Sequence, residues 1–190
     1  MTGFLPEGTA IPQKNDGYFK FELGDNKIRI VDNAVTGYEL WVKGKPIKRK
    51  ENKFSSEELA NADINKFTGK IKTPEYFWAF PVYNYKLNKI QILQVKQVTI
   101  MRDMETYLGD EDYGTDPTKY DLVVNQYEGE NKKVKYSTRA KPQKEIDPQI
   151  IQMYKDTPIN LEALFTGENP FTSSPMNEDV DPDFMADTIK

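Results

Sequence analysis

The chain has 190 residues, of which 37% are hydrophobic and 12% aromatic, and a formal net charge of −4. This length predicts one domain with its own core. Because the chain contains neither cysteine nor histidine, it has no disulfide, no thiolate nucleophile and no imidazole base, which disfavours catalysis.

No apolar run approaches the ~18 residues of a membrane helix, and the start, MTGFLPEGT, lacks the pattern of a secretory signal. We therefore expect a soluble intracellular protein with no membrane partner. The charge is unevenly distributed: residues 1–144 carry +4 and residues 145–190 carry −8. A basic body with an acidic tail indicates two different kinds of partner.

The first elements along the chain are strands. Residues 1–17 contain several glycines and prolines and predict an extended N-terminal arm. Residues 27–31 and 37–43 alternate polar and apolar side chains, which is typical of strands. Ile28 and Ile30 share one face, and Arg29 and Trp41 fall on the polar faces of their strands, where we expect them to be neighbours if the two strands pair.

Residues 43–53, KGKPIKRKENK, contain six basic residues and one acid. Such a run is typical of a solvated loop, and its position directly after the Trp41 strand also allows a role in binding phosphates. Residues 54–75 are polar and mixed, with a possible short helix near 56–62.

Residues 76–95, YFWAFPVYNYKLNKIQILQV, predict a β-hairpin that is rich in aromatic and β-branched side chains. Its first strand carries aromatics on both faces, although alternation allows only one face to fill a one-sided core. We assign Trp78, Phe80 and Val82 to the core. Tyr83 and Tyr85 then lie on the opposite face, where they are free to stack on a flat ligand.

The later elements alternate in type. The spacing of Val98, Met101 and Leu108 predicts a helix over about 97–108, ending at Gly109. Strands are predicted over 120–127 and 132–139, the second with a basic outer face. Asp-Pro and Thr-Pro pairs at 147–148 and 157–158 predict two short helices, over about 148–155 and over 159–165.

This order of elements predicts a mainly β fold. It is a five-stranded OB-type (oligonucleotide/oligosaccharide-binding) barrel with an added β-hairpin arm and one helix between strands 3 and 4, plus short C-terminal helices and a disordered acidic tail. The expected organisation is an N-terminal arm (1–17), an OB-fold nucleic-acid-binding domain (18–141), a helical C-terminal extension (142–166) and the tail (167–190).

The chemistry of the outward faces predicts sequence-tolerant binding of single-stranded DNA, in which cations neutralise phosphates and aromatics stack on bases. Lysine outnumbers arginine, which suits point-charge contacts to phosphate and little sequence selectivity. No metal or cofactor is expected. The candidate DNA-binding residues are Arg29, Trp41, Lys43, Lys45, Lys48, Arg49, Lys50, Tyr83, Tyr85, Lys86, Lys89, Lys135 and Arg139. The candidate partner-binding residues of the tail are Asp179, Asp181, Asp183, Phe184 and Met185.

Several segments together resemble the single-stranded DNA-binding proteins encoded by tailed bacteriophages. They are GDNKIRIV (24–31), GYELWVKGKPIKRK (37–50), YFWAFPVYNYKLNKIQILQVKQVTI (76–100), DYGTDPTKYDLVV (112–124) and INLEALFTGENPF (159–171).

The resemblance implies an OB fold and a role in phage DNA replication and recombination. It also implies an acidic tail that contacts replication or recombination proteins, and a location in the cytoplasm of the infected bacterial host. The chain departs from the usual single-strand binder ending, an acidic run closed by phenylalanine, because it ends in Asp187-Thr188-Ile189-Lys190.

Two other functions fit parts of the sequence. The exposed aromatics also suit a phage structural or protein-interaction module, which would bind protein rather than DNA. A metal-dependent nuclease would use the carboxylates of Asp110, Glu111, Asp112 and Asp116. Those acids crowd on one loop instead of coming from several elements, which disfavours the nuclease.

Overall fold

The computed structural model describes residues 17–171. Within them, seven strands form one antiparallel sheet, so the fold is mainly β. The strands are β1 (Gly24–Ile30), β2 (Val35–Val42), β3 (Lys45–Arg49), β4 (Glu75–Asn84), β5 (Lys89–Val95), β6 (Asp121–Glu128) and β7 (Val134–Ala140). The helices are α1 (Ser56–Ala60), α2 (Val98–Leu108), α3 (Pro148–Lys155) and α4 (Ala163–Thr166), with 3-10 turns at Pro117–Lys119 and Glu130–Lys132.

β4 is the central strand of the sheet. One edge of it pairs with β5 along most of its length, and the other edge pairs with β2 in its first half and with β1 in its second half. From that second edge the sheet continues through β1 to β6 and β7, and separately through β2 to β3. The aromatic hairpin of the sequence therefore lies at the middle of the fold.

The sheet is open and does not close into a barrel. Within residues 17–171 no backbone pair joins β5 to β7, because other segments cover their outer edges. At β7, the Thr138 amide donates to the Asp103 carboxylate of α2 at 2.7 Å. At β5, Ile92 exchanges two backbone hydrogen bonds of 2.8 Å with Gly17 and Phe19.

The basic run at 43–53 is not a simple loop, because part of it is strand β3. Lys43 and Gly44 have φ values of 51° and 77°, and a two-residue turn with positive φ at both positions matches the twist of a hairpin. β2 pairs with β3 and β4 rather than with β1, so the predicted proximity of Trp41 and Arg29 is wrong. Trp41 instead lies opposite Pro46.

One face of the sheet packs with α2 to form the main core. Phe80 and Val82 are 1% and 0% exposed, and Trp78 packs against them partly buried, which confirms the predicted core face of β4. The remaining core side chains come from all parts of the domain, among them Ile28, Ile30, Leu93, Val95, Ile100, Met104, Leu122 and Val124.

The opposite face of β4 and β5 is covered by the C-terminal extension, residues 142–171. Phe77, Ala79 and Ile92 pack with Leu164, and Tyr83 and Ile90 pack with Ile150. Since both faces of β4 are buried, aromatics on both faces need no ligand to cover them. This result explains the two-sided aromatic pattern of the sequence.

Within the extension, α3 has the predicted bounds, because Asp147 accepts a hydrogen bond from the Gln149 amide and Pro148 opens the helix. α4 begins at 163, later than predicted, since the Thr157 hydroxyl donates to the Met153 carbonyl instead of capping a helix.

Packing continues past the predicted boundary at 166, and Phe171 meets Tyr18 edge-on with ring centroids 5.5 Å apart. The rest of the predicted tail, including its five candidate partner-binding residues, lies outside the described residues, as does the predicted arm except for Gly17. Of the helices within 17–171, none combines the length and apolar character needed to cross a membrane.

Candidate nucleic-acid interface

Three candidate residues of the central sheet are enclosed by the chain itself. Arg29 is 1% exposed, and its guanidinium donates to Asp121 Oδ1 at 2.6 Å and to the carbonyls of Thr118 and Lys144. Tyr83 is 9% exposed and packs under α3, and Tyr85 is half-buried beside it. Their predicted exposure is wrong because the C-terminal extension covers Tyr83 and Tyr85, and because Asp121, Thr118 and Lys144 enclose Arg29.

Asp121 holds this buried group together. It accepts hydrogen bonds from Arg29 and from the Tyr85 hydroxyl at 2.8 Å, and Lys27 pairs with it at 2.9 Å. Burial alone would raise the pKa of Asp121, but the hydrogen bonds from Lys27, Arg29 and Tyr85 outweigh it and leave that pKa lowered. Burial, followed by the hydrogen bond to Asp121, raises the pKa of Tyr85 to about 12. The group is therefore a structural ion cluster.

A second buried carboxylate, Glu39, fixes the position of Trp41. Glu39 Oε1 accepts from the indole Nε1 at 2.8 Å, and Glu39 also binds Gln94, Lys48 and Lys96. Burial by itself would raise the pKa of Glu39, but the hydrogen bonds from Gln94 and Lys96 outweigh burial and lower that pKa to about 2. Because the charge of Lys48 is used on Glu39 at 3.2 Å, Lys48 is not available to a phosphate in this arrangement.

Several other candidate cations are also paired with acids of the same chain. Arg49 pairs with Glu58 at 2.7 Å and Lys50 with Glu162 at 2.6 Å. Lys86 pairs with Glu22, and Arg139 with Asp25. Exposed pairs of this kind are worth little and exchange readily with other anions. These residues can therefore contribute to a positive surface, but less strongly than unpaired lysines.

The candidates are also spread over the sheet. Lys135 and Arg139 lie on β7, the edge strand opposite β3, and the stem of Lys135 lies against Gly129. Lys86 is on the β4–β5 turn, and Lys89 begins β5, with an interaction partner of its own. Besides the buried Arg29, Tyr83 and Tyr85, the candidates that the structure brings together within residues 17–171 are those at the β2–β3 turn, Trp41, Lys43 and Lys45.

Beside that turn lies a small hairpin that sequence reasoning did not find. Ile64 pairs with Ile71, the Asn65 amide donates to the Lys70 carbonyl at 2.8 Å, and Gly69 supplies the positive φ of the turn. Asp63 ties the hairpin to β2–β3, because its carboxylate accepts from the Gly44 amide at 3.1 Å.

Phe67, at the tip of this hairpin, is 100% exposed. Ile64 and Ile71 beside it are 61% and 56% exposed. The signal for this feature was the sequence IN-KFTG-KIK (64–72), in which lysines and apolar residues flank a Thr-Gly turn.

The β2–β3 turn and this hairpin together carry five lysines, which we call, together with Trp41 and Phe67, the basic patch. Its lysines are Lys43, Lys45, Lys66, Lys70 and Lys72. Within residues 17–171 none of the five makes an ion pair with an acid. Lys72 Nζ lies 5.3 Å from the centroid of the Trp41 ring, which joins the two halves of the patch.

Trp41, Lys66, Phe67 and Lys72 line one open groove of about 740 Å³. Two carboxylates also line it, but Asp63 is bound to the Gly44 amide and Glu75 to Lys96 at 3.0 Å. The groove thus combines two aromatic side chains with uncompensated lysines. That combination suits a ligand that alternates flat rings with negative charges.

The acidic turn considered for a nuclease has a structural role in this fold. Asp116 caps the turn at Pro117–Lys119 by accepting from the Thr118 amide at 3.0 Å, and Asp110 accepts from the Asp112 amide at 2.8 Å. Hydrogen bonds from Thr118 lower the pKa of Asp116. Within residues 17–171 no group of three acidic side chains has the arrangement of a metal site.

Comparison with known proteins gives no relative from which to transfer a function. No family model matches the chain, and neither does any curated protein or solved structure at a significant level.

Proposed function

We propose that this protein binds single-stranded DNA with little sequence selectivity, through the basic patch. One observation carries the proposal, which is the fully exposed Phe67 among lysines that pair with no acid of residues 17–171. An exposed apolar cluster marks an interaction surface, and the lysines around it favour an anionic partner over an apolar one.

The order in which the strands pair supports the same proposal. We propose that β5, β4, β1, β6 and β7 are the five strands of an OB-type barrel that is open between its third and fifth strands, because their pairing order and the position of α2 between β5 and β6 agree with that fold. On this interpretation, β2–β3 is the added hairpin, and the basic patch lies on it and on the loop that follows. OB-type folds bind single strands with such faces and loops.

The mechanism follows from the chemistry of the patch. Lysine ammonium groups act as point charges on phosphates without reading base edges, and the faces of Phe67 and Trp41 offer stacking platforms to any base. In phage replication and recombination, such binding would protect unwound strands and remove hairpins. An acidic tail beyond the described residues would then recruit replication or recombination proteins.

Titration of a labelled oligo-dT by fluorescence anisotropy at two salt concentrations tests the proposal. If all five lysines contact phosphates, log Kobs should fall with log salt with a slope of roughly −3.5, from ~0.7 per phosphate on a single strand. A duplex of the same length should bind more weakly. No binding at low salt would refute the proposal.

The second candidate function is a protein-interaction module, which the exposed Ile64 and Ile71 beside Phe67 favour. An interface based on these apolar side chains would persist in high salt, whereas binding by lysines to phosphates would not. Retention of partner proteins from infected-cell lysate at high salt, without retention of oligo-dT at low salt, would favour this candidate.

A further inference from the structure

We propose that residues 159–171, here called the strap, are an intramolecular stand-in for nucleic acid on the β4–β5 face, and that single-stranded DNA displaces them. This inference rests on the proposed function, and it adds a second binding face together with its regulation. The face carries Phe77, and Lys48 of β3 lies with its Nζ 5.9 Å from the centroid of the Phe77 ring. Lys50, directly after β3, reaches the strap through Glu162.

Two contacts of the strap match those that a nucleotide would make, and the rest are apolar packing of Leu164 and its neighbours. Phe165 stacks on Phe77 with ring centroids 6.1 Å apart and planes 24° apart, in the place a base would take. Glu162 pairs with Lys50 at 2.6 Å, in the place of a phosphate oxygen. Lys50 Nζ also lies 5.6 Å from the centroid of the Phe165 ring. One helical turn thus presents an aromatic ring and an anion to an aromatic ring and a cation.

The strap depends on the sheet for its order. α4 has 4 residues, too few to form a stable helix without tertiary contacts. Its ion pair is open to solvent, since the side chains of Lys50 and Glu162 are 61% and 58% exposed, so other anions and salt compete with it. On this proposal the strap gives up its apolar contacts with Phe77, Ala79 and Ile92, while α3, anchored through Ile150, stays in place.

Release of the strap would expose Phe77 to a ligand. Phe77 is 0% exposed with the strap in place. Without the strap, Phe77 and Lys50 would form a stacking and phosphate-binding face continuous with β2–β3, on which the basic patch lies. DNA can bind this face only in molecules whose strap is open. The apparent affinity of the face is therefore its intrinsic affinity multiplied by the fraction of open molecules.

Hydrogen exchange of the full chain, with and without saturating oligo-dT, tests the inference directly. Displacement predicts that the amides of Leu164 and Phe165 exchange at least tenfold faster with oligo-dT, while the Lys66–Lys72 amides become protected. Strap amides that keep their protection at saturation, with the patch protected, would overturn the inference and leave the proposed function standing. Absence of oligo-dT binding would overturn both.

Substitutions give an independent readout. Weakening the strap should raise its open fraction, so Phe165→Ala should tighten oligo-dT binding roughly tenfold and Glu162→Gln up to about fivefold. Glu128→Gln, which removes the same charge from an exposed site on β6, should leave the affinity unchanged. Equal affinities for Phe165→Ala, Glu162→Gln and the native chain would also overturn the inference.

Discussion

Replacement of Phe67 by alanine separates binding from folding more cleanly than any other single change. Phe67 is 100% exposed and buries nothing in the folded chain, so Phe67→Ala should alter the free energy of unfolding by no more than about 0.5 kcal/mol. Stacking of a base on an aromatic side chain is worth roughly 1–3 kcal/mol, which corresponds to an oligo-dT affinity weaker by about 5- to 150-fold.

The assay is an anisotropy titration with labelled oligo-dT, accompanied by thermal unfolding of each variant. Tyr127→Ala is the matched control, because Tyr127 is an aromatic residue on β6 that is 42% exposed and outside the basic patch. Phe67→Trp should restore binding, since any flat ring can stack. If Phe67→Ala binds oligo-dT as tightly as the native chain, base stacking at this hairpin is not the mechanism.

Three further predictions follow from the charges. The double variant Lys43→Gln/Lys45→Gln should reduce the magnitude of the slope of log Kobs against log salt for oligo-dT by about 1.4. An unchanged slope would show that these lysines do not contact phosphates. Arg29→Ala should cost about 3–5 kcal/mol in urea unfolding by leaving Asp121 buried without its main partner, whereas Lys27→Ala should cost less than about 1 kcal/mol. Because the pKa of Glu39 is about 2 in the folded chain against an ordinary 4.5, its contribution to stability is complete above pH 4.5 and is lost as the pH falls toward 2. Between pH 6 and pH 3 the free energy of unfolding in urea should fall by about 2 kcal/mol less in Glu39→Gln than in the native chain. Equal falls in the two proteins would show that Glu39 is not the titrating group.

Local chemistry made much of the fold predictable. The period of apolar residues located α2 and its end at Gly109, and the Asp147-Pro148 pair located α3. Alternation assigned Phe80 and Val82 to the core face, because a strand sends successive side chains to opposite sides. Each of these predictions depends on residues a few positions apart in the chain.

The candidate site was only partly predictable. Trp41, Lys43 and Lys45 were found because strand alternation and local charge identified them, but the hairpin with Phe67 was missed within a stretch described as polar and mixed. Arg29 and Tyr83 were placed outward because nothing near them in sequence shows that the C-terminal extension lies over them. Lys48 and Lys50 carry charge in any fold, but only the tertiary structure shows that they form ion pairs with Glu39 and Glu162.

The sequence by itself determined the mainly β character, the principal helices, the core face of β4 and the separation of a basic body from an acidic C-terminal region. Only the tertiary structure decided which outward face is covered, which cations are already neutralised and that the sheet stays open. The physical reason is the range of the interactions. Propensity, capping and alternation act over a few residues, whereas the stacking of Phe165 on Phe77 and the pairing of Glu162 with Lys50 join distant parts of the chain.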